Sequence, residues 1–307
     1  MAWARTKTAV LFAAIIALFV GVGGLVGQFV FQGSWLAGIV MALGLSIVLN
    51  VGAYFACDRL ILWSTGAKIV TPEEAPRLAK IVEELAPKFH LTAPRLAIVP
   101  TETPNAFATG RNEKHAVVAA TQGILRLLDD RELRGVIAHE LAHIQDRDVL
   151  LMTFAATLAG AISYAAQIAF FSTLFGGGAN RNNGLVGLFA VLTAPIAAML
   201  IQLAISRSRE YRADEVGAHT VGDPEALASA LGKLEGANRR RPMRVGSPAQ
   251  SSLYIVNPFR GSWFASIFST HPPIDERIRR LRAMRTSFTY RPTVRGPTTR
   301  RGAHADG

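Results

Sequence analysis

Charge is scarce in this sequence, and over much of its N-terminal part it is missing altogether. Only 18% of the 307 residues are charged, 50% are hydrophobic, and no charged side chain occurs from Thr8 to Cys57. Such a composition argues against a simple water-soluble protein. Because about 20 apolar residues in a helix cross a bilayer, we predict an N-terminal transmembrane hairpin in residues 1–57, with spans at about 8–30 and 35–56.

A signal-peptide cleavage site is also lacking. Arg5 and Lys7 precede the apolar run as they would in a secretory signal. No Ala-x-Ala-like site separates the two predicted spans, however, and a second span follows at once. We therefore favour a membrane hairpin over a cleaved signal.

A second region, residues 149–205, carries Arg181 as its only charge. We predict a second hairpin there, with spans near 149–173 and 185–205, which makes about four transmembrane helices in all. The alternative is a pair of buried core helices in a soluble domain. With four crossings, the Lys and Arg residues near the span ends fall on one side, apart from Arg181, and that side is expected to be the cytoplasm.

Signatures of a disulfide framework and of nucleic-acid binding are absent as well. The single Cys57 excludes an intrachain disulfide framework. The net charge of +11 includes the run Arg239-Arg240-Arg241, but no aromatic interleaving or nucleic-acid motif accompanies it. Juxtamembrane basic residues attract anionic lipid headgroups equally well. We therefore expect contact with the lipid bilayer and none with nucleic acid.

The polar residues 58–148 are predicted to form a cytoplasmic α/β part. An amphipathic helix is expected from an N-cap at Thr71, and a second helix from Asp129, where Glu132 supplies a capping box. About three short strands are expected between the two helices. These strands are predicted at Arg95–Val99, within 103–110, and at His115–Ala120. Beyond the second hairpin, residues 206–285 are predicted to be helical, and the basic tail 286–307 to be disordered.

A metal-binding pattern, His139-Glu140-Leu141-Ala142-His143, lies on the second predicted helix. Histidines four residues apart project from one helix face and can hold one Zn²⁺. Glu140 is close enough to take a proton from a metal-activated water that attacks a peptide carbonyl. The alternative for so short a pattern is a helix with two surface histidines.

A third ligand is expected across the second hairpin, in the segment 206–214. If residues 149–205 cross the membrane twice, the helix leaving His143 and the helix bearing Glu210 meet at the same membrane face. Glu210 and Asp214 share a helical face, so Glu210 can ligate the metal while Asp214 accepts the free N–H of a ligating histidine. The alternative is a solvated charged turn.

These segments resemble the HtpX-type membrane zinc metallopeptidases, relatives of the CAAX prenyl endopeptidases. The resemblance covers most of the chain and follows the family's order. It includes the paired N-terminal spans, Pro104-Asn105-Ala106-Phe107-Ala108-Thr109-Gly110, His139-Glu140-Leu141-Ala142-His143, the following hairpin, Ser206-Arg207-Ser208-Arg209-Glu210-Tyr211-Arg212-Ala213-Asp214, and Ser269-Thr270-His271-Pro272-Pro273 with Arg277-Ile278.

The resemblance implies a mainly α membrane protein with a small α+β zincin-like (gluzincin) catalytic domain. It implies one zinc per chain, held by His139, His143 and Glu210, with Glu140 as the catalytic residue. It also implies a multi-pass protein of a bacterial inner membrane, with its active site facing the cytoplasm. The expected substrates are damaged or unfolded membrane proteins and other unfolded polypeptides.

Two further segments gain a role from the resemblance. Asn105, Ala106, Phe107 and Ala108 are expected to lie on an edge strand that aligns an extended substrate by main-chain pairing; a mere connecting strand is the alternative. His271 is expected to stabilise the oxyanion of the tetrahedral state. Its alternative is a histidine that begins a C-terminal helix, with Asp275 and Arg277 in ordinary surface roles.

Two other functions remain open. A zinc-binding membrane scaffold would use the metal only to join two helices, but it would have no need of Glu140. An intramembrane protease would place the charges that flank the histidine pair in hydrocarbon, at several kcal/mol each. These flanking charges are Arg131, Arg134, Asp146, Arg147 and Asp148.

Overall fold

The computed structural model of the chain describes residues 34–150, 152–153, 207–240, 242–243, 253–258 and 272–289. The predicted features outside these described residues are the first span at about 8–30, most of the second hairpin, His271 and the end of the tail. The elements, named in chain order, are α1 Trp35–Thr65, β1 Lys68–Val70, α2 Pro76–Leu85, β2 Arg95–Val99, β3 Ala106–Thr109, β4 Val117–Thr121, α3 Gln122–Leu127, α4 Asp130–Gln145, α5 Arg207–Val221, α6 Pro224–Arg240 and α7 Ile274–Thr289.

Helix α1 contains the predicted span 35–56 and continues to Thr65, where Gly66 ends it in a left-handed conformation with φ 68°. Among the described residues, no helix is both long enough and apolar enough to cross a membrane. The predicted number of about four transmembrane helices is therefore unconfirmed. The end of α1 is joined to the sheet region, because the buried Asp58 lies 3.6 Å from Arg95.

A small sheet organises residues 68–121. In the described part of the chain it has four strands in the order β1, β2, β4, β3. β2 and β4 run parallel, while β1 and β3 pair antiparallel with their neighbours. The sequence predicted about three strands and missed β1, because three residues are too few to show an alternating pattern. β3 forms one edge of the sheet.

The strands separate two apolar cores because successive side chains point to opposite faces. On β4, Val118 and Ala120 face the main core with helices α2 and α4, whereas Val117 and Ala119 face a smaller core with Ile61 of α1. All five residues of β4 are buried. A mainly α fold with a small sheet, as predicted, is confirmed.

Helix α2 begins later than predicted. The Thr71 N–H donates to the Glu74 carboxylate at 2.8 Å, as in the predicted capping box. Residues 72–74 nevertheless form a turn, and the helix starts at Pro76. Proline is favoured in the first helical turn because it lacks an N–H that would need a partner, and Pro76 rather than Pro72 occupies that turn.

Helix α4 begins where the sequence predicted. The Asp129 side chain accepts from the Glu132 N–H, the Glu132 side chain accepts from the Asp129 N–H, and the helix runs to Gln145. It packs against α5 and α6 and beneath β3. α7 continues to Thr289, four residues into the segment 286–307 that was predicted to be a disordered tail.

Candidate metal centre

Two imidazoles on α4 form the centre of the site. His139 and His143 lie one turn apart, and both are almost completely buried. Their Nε2 atoms are 3.2 Å apart. The structure thus contradicts the alternative of two surface histidines.

Glu210 on α5 completes a group of three donors. Its carboxylate oxygens lie 3.8 Å from Nε2 of His139 and 3.5 Å from Nε2 of His143. The three ligand atoms all lie within 4.8 Å of one another, so they could hold one metal ion. Two donors on one tetrahedral zinc, each at about 2.1 Å, are separated by about 3.4 Å. The observed separations fit such an ion.

Carboxylates contact the other nitrogen of each ring. Asp214 lies 2.9 Å from Nδ1 of His139, and Asp148 lies 3.5 Å from Nδ1 of His143. A carboxylate on Nδ1 fixes the ring orientation and leaves Nε2 with a lone pair for a metal. The short contact at His139 fits a zinc site, and at His143 a carboxylate lies on the same side of the ring at the longer distance.

The two histidines differ in their pKa. Burial lowers the pKa of His139 to about 4, against the attraction of Asp214. Burial would also lower the pKa of His143, but the carboxylates of Asp148 and Glu210 outweigh it and raise that pKa to about 9. In the metal-free site one proton therefore resides on the His143 side of the pair at neutral pH.

Glu140 lies beside the donor group and is also buried. Burial raises the pKa of Glu140 to about 7, although contacts with His143 and the main chain of Ala108 partly offset this effect. A carboxyl with a pKa near neutrality can both accept and release a proton at physiological pH.

A close approach of two helices brings Glu210 to the histidines. Gly217 of α5 packs against the backbone of α4, and a Cβ there would lie 3.0 Å from the backbone nitrogen of His139. Glycine permits this separation because it has no side chain to hold the helices apart.

The predicted substrate residues lie on and just before the edge strand β3, but their side chains are buried. Phe107 packs edge-on against Tyr254, with ring centroids 5.2 Å apart. The Asn105 Nδ2 donates to the Val256 carbonyl at 2.6 Å. Only the main chain of this strand can therefore contact a substrate, and Ala108 is its residue beside Glu140.

Sequence reasoning missed the roles of two residues around the site, Asp148 and Arg277. Asp148, interpreted only as a flanking charge, contacts His143 and accepts from Arg209 at 2.9 Å. Arg277 is fully buried, so the alternative that gave it an ordinary surface role is wrong. One sequence signal could have identified Arg277 as a residue of the site. It belongs to the Arg277-Ile278 pair of the resemblance, which comes just after His271-Pro272-Pro273.

A buried histidine pair, a carboxylate as the third donor and an adjacent glutamate define the class of metal-dependent hydrolases. Residues 72–285 match the model of peptidase family M48, so the chain belongs to that family. It is therefore a metalloendopeptidase, as the sequence predicted.

Relatives named "Protease HtpX homolog" match most of the chain. The one from Syntrophobacter fumaroxidans is 48% identical over 286 residues, which cover 91% of this chain and 99% of the relative. The one from Pyrococcus furiosus is 51% identical over 283 residues, covering 91% and 95%. The predicted HtpX-type assignment is confirmed. The match to the solved structure of S. mikatae Ste24p covers 90% of this chain and 64% of the Ste24p chain, with a TM-score of 0.46 and 18% identity.

Proposed function

We propose that this chain is a membrane-anchored, zinc-dependent endopeptidase. His139, His143 and Glu210 are its zinc ligands, and Glu140 is its general base. The observation that carries the proposal is the convergence of the two Nε2 atoms and the Glu210 carboxylate, with Glu140 buried at their side. When bound, the zinc supplies a Lewis acid that activates water and polarises the scissile carbonyl.

The residues of the chain divide the remaining chemistry. Glu140 accepts a proton from the attacking water and passes it to the leaving amine. Asp214 and Asp148 hold the imidazole rings in orientation from their Nδ1 sides. The main chain of β3 aligns an extended polypeptide. His271 is proposed to stabilise the oxyanion, as the resemblance implies.

The apolar surface of α1 supports the membrane part of the proposal. Large hydrophobic side chains are exposed along its length, and water disfavours such a surface. Examples are Trp35, Val40, Val48, Phe55 and Trp63, which are 59%, 62%, 67%, 59% and 81% exposed. We propose a bacterial inner-membrane protein in which hairpins 1–57 and 149–205 hold peptidase parts 58–148 and 206–285 on the cytoplasmic side.

The charged flanks of α4 argue against a site within the bilayer. Arg131 pairs with Asp223 and Arg134 pairs with Glu84, and these side chains are partly exposed. Charges of this kind would be costly in hydrocarbon. The proposed substrates are therefore misfolded or damaged membrane proteins and unfolded polypeptides presented from the aqueous side, in a quality-control role.

The substitution Glu140→Gln tests the proposal. It removes the base but keeps the shape of the side chain, so we expect unchanged zinc content and a fall in casein cleavage of at least about 100-fold. Cleavage would be followed with fluorescein-labelled casein and the full chain in detergent. The matched control is Glu225→Gln, which removes a partly exposed carboxylate that pairs with Arg282 away from the site. Cleavage by Glu140→Gln at the wild-type rate would contradict the assigned role.

A further inference from the structure

Arg277 of α7 is a buried charge with three hydrogen bonds shorter than 3.0 Å to charged or polar partners. Its side chain is 0% exposed. Nε and Nη2 donate to the two Asp214 oxygens at 2.8 and 2.7 Å, and Nη1 donates to the Ile255 carbonyl at 2.9 Å. A guanidinium is suited to this position because its planar fork engages a carboxylate with two donors and leaves a third for another acceptor.

The contacts of Arg277 with carboxylates, called here its first arm, connect it to the proposed metal ligands. Asp214, held by the arginine, lies 2.9 Å from Nδ1 of His139. Nη1 of Arg277 also lies 3.7 Å from the Glu210 carboxylate. Arg277 thus contacts the carboxylate that lies on Nδ1 of His139, and its Nη2 also lies 3.5 Å from both ring nitrogens of His139.

The bond of Arg277 to the Ile255 carbonyl, called here its second arm, connects it to the edge strand through the segment 253–258. In this segment the Ile255 N–H donates to the Ala106 carbonyl at 3.1 Å. The neighbouring Val256 carbonyl accepts from Asn105 Nδ2 at 2.6 Å. The segment thus lies along the outer side of β3 at its N-terminal end, while Ala108 faces Glu140 at the other end.

We propose that Arg277 is a positioning residue that sets two parts of the site at once. Through Asp214 it orients His139 toward the metal. Through Ile255 it fixes the segment 253–258 against β3, and so determines where an extended substrate begins to pair with that strand. This inference deepens the proposed function and rests on it for the identity of the metal and of the substrate.

A double-mutant cycle separates the two arms. The variants are Arg277→Met, Asp214→Asn and the two combined; the double variant avoids leaving one buried charge alone. Co²⁺ affinity, read from the visible absorption of the ion, reports the first arm. The affinity of the zinc-loaded protein for fluorescein-labelled casein, measured by anisotropy in the Glu140→Gln background, reports the second arm.

We expect Co²⁺ affinity to fall by about 10-fold to 100-fold in each single variant and no further in the double variant. Both substitutions break the same connection, which runs from Arg277 through Asp214 to His139. Casein affinity should fall by on the order of tenfold only where Arg277 is replaced, with or without Asp214→Asn. Arg277→Lys should restore part of the Co²⁺ affinity and little of the casein affinity, because one ammonium cannot reach both partners.

The control on the same helix is Arg282→Met, which removes an exposed charge paired with Glu225. It should leave both affinities unchanged. Additive losses of Co²⁺ affinity would overturn the first arm, and equal casein affinity in Asp214→Asn and the double variant would overturn the second. Neither binding measurement requires cleavage, so a wild-type protein that binds Co²⁺ and casein without cleaving would contradict the proposed function and leave this inference standing.

Discussion

At the scale of single residues, the two facing imidazoles of His139 and His143 combine opposite pKa shifts. His139 is held neutral by burial, while Asp148 and Glu210 keep a proton on His143. A metal must displace this proton, because only the neutral imidazole binds a metal ion. Protons therefore compete with the metal ion for His143.

Metal affinity should consequently depend on pH. Below a pKa of about 9 for His143, zinc affinity should rise by about tenfold per pH unit, and it should level off above that pKa. Chelator competition from pH 6 to 10 measures this. Asp148→Asn removes one of the carboxylates that raise the pKa, so the plateau should begin at a lower pH. A pH-independent affinity would show that His143 carries no proton in the metal-free protein.

At the scale of secondary-structure elements, Glu132 connects the start of α4 to α6. Besides its capping role, its carboxylate accepts from Ser229 at 2.6 Å and from Lys233 at 2.8 Å. Burial opposes ionisation, but these two contacts outweigh it and lower the pKa of Glu132. Since the folded pKa is lower than the unfolded one, this contribution to stability is present above the unfolded pKa and is lost as the pH falls through the folded pKa.

Glu132→Ala should therefore lower the free energy of unfolding by about 1–3 kcal/mol at pH 7. The loss should shrink in acid, where the wild-type carboxyl is protonated. Urea unfolding at pH 7 and at pH 3, well below the unfolded pKa, measures both values. Glu83→Ala, at an exposed position on α2, is the control and should change stability by less than about 0.5 kcal/mol. Equal losses at the two pH values would contradict the linkage.

The contact between α4 and α5 gives a second prediction at this scale. In Gly217→Ala the new Cβ meets backbone atoms of Ala138 and His139 at 3.0–3.3 Å. The helices must separate, so we expect a loss of about 1–3 kcal/mol in unfolding free energy together with weaker zinc binding. In Gly236→Ala on α6 the Cβ meets nothing within 4 Å.

Gly236→Ala is thus the matched control for Gly217→Ala. It should stabilise the protein by about 0.5–1 kcal/mol, because alanine has less backbone entropy to lose in a helix. Thermal unfolding and zinc titration distinguish the two variants. If Gly217→Ala bound zinc as tightly as wild type, the close helix contact would not set the position of Glu210.

At the scale of the whole molecule, the proposed ligands belong to helices that are distant in sequence. His139 and His143 lie on α4, and Glu210 lies on α5 beyond residues 149–205. A ligand set of this kind exists only in the folded chain, so metal binding and folding should be coupled.

Zinc should therefore raise the Tm, by an amount equivalent to about 4 kcal/mol when free zinc is about 1,000 times its Kd. A chelator should reverse the effect. Glu210→Ala should remove most of the shift, whereas Glu215→Ala, at an exposed position of the same helix, should retain it. A full zinc-induced shift in Glu210→Ala would exclude Glu210 as a ligand.

Local patterns were sufficient for much of the molecule. The strand Arg95–Val99 and the capped start of α4 were predicted at their observed positions, because periodicity and capping act over a few neighbouring residues. The strand β1 and the late start of α2 were not predicted. β1 forms only through its pairing with β2, and such long-range pairing leaves no pattern in three residues.

The sequence by itself determined the helix that carries the proposed ligands His139 and His143, since i and i+4 histidines share a helix face whatever surrounds them. It also indicated Glu210 and Asp214, through their spacing and their place after a second hydrophobic region. Only the tertiary structure decided that Arg277 and Asp148 belong to the site. Their roles depend on burial and on which carboxylate or carbonyl lies within about 3 Å, and these are properties of the folded chain.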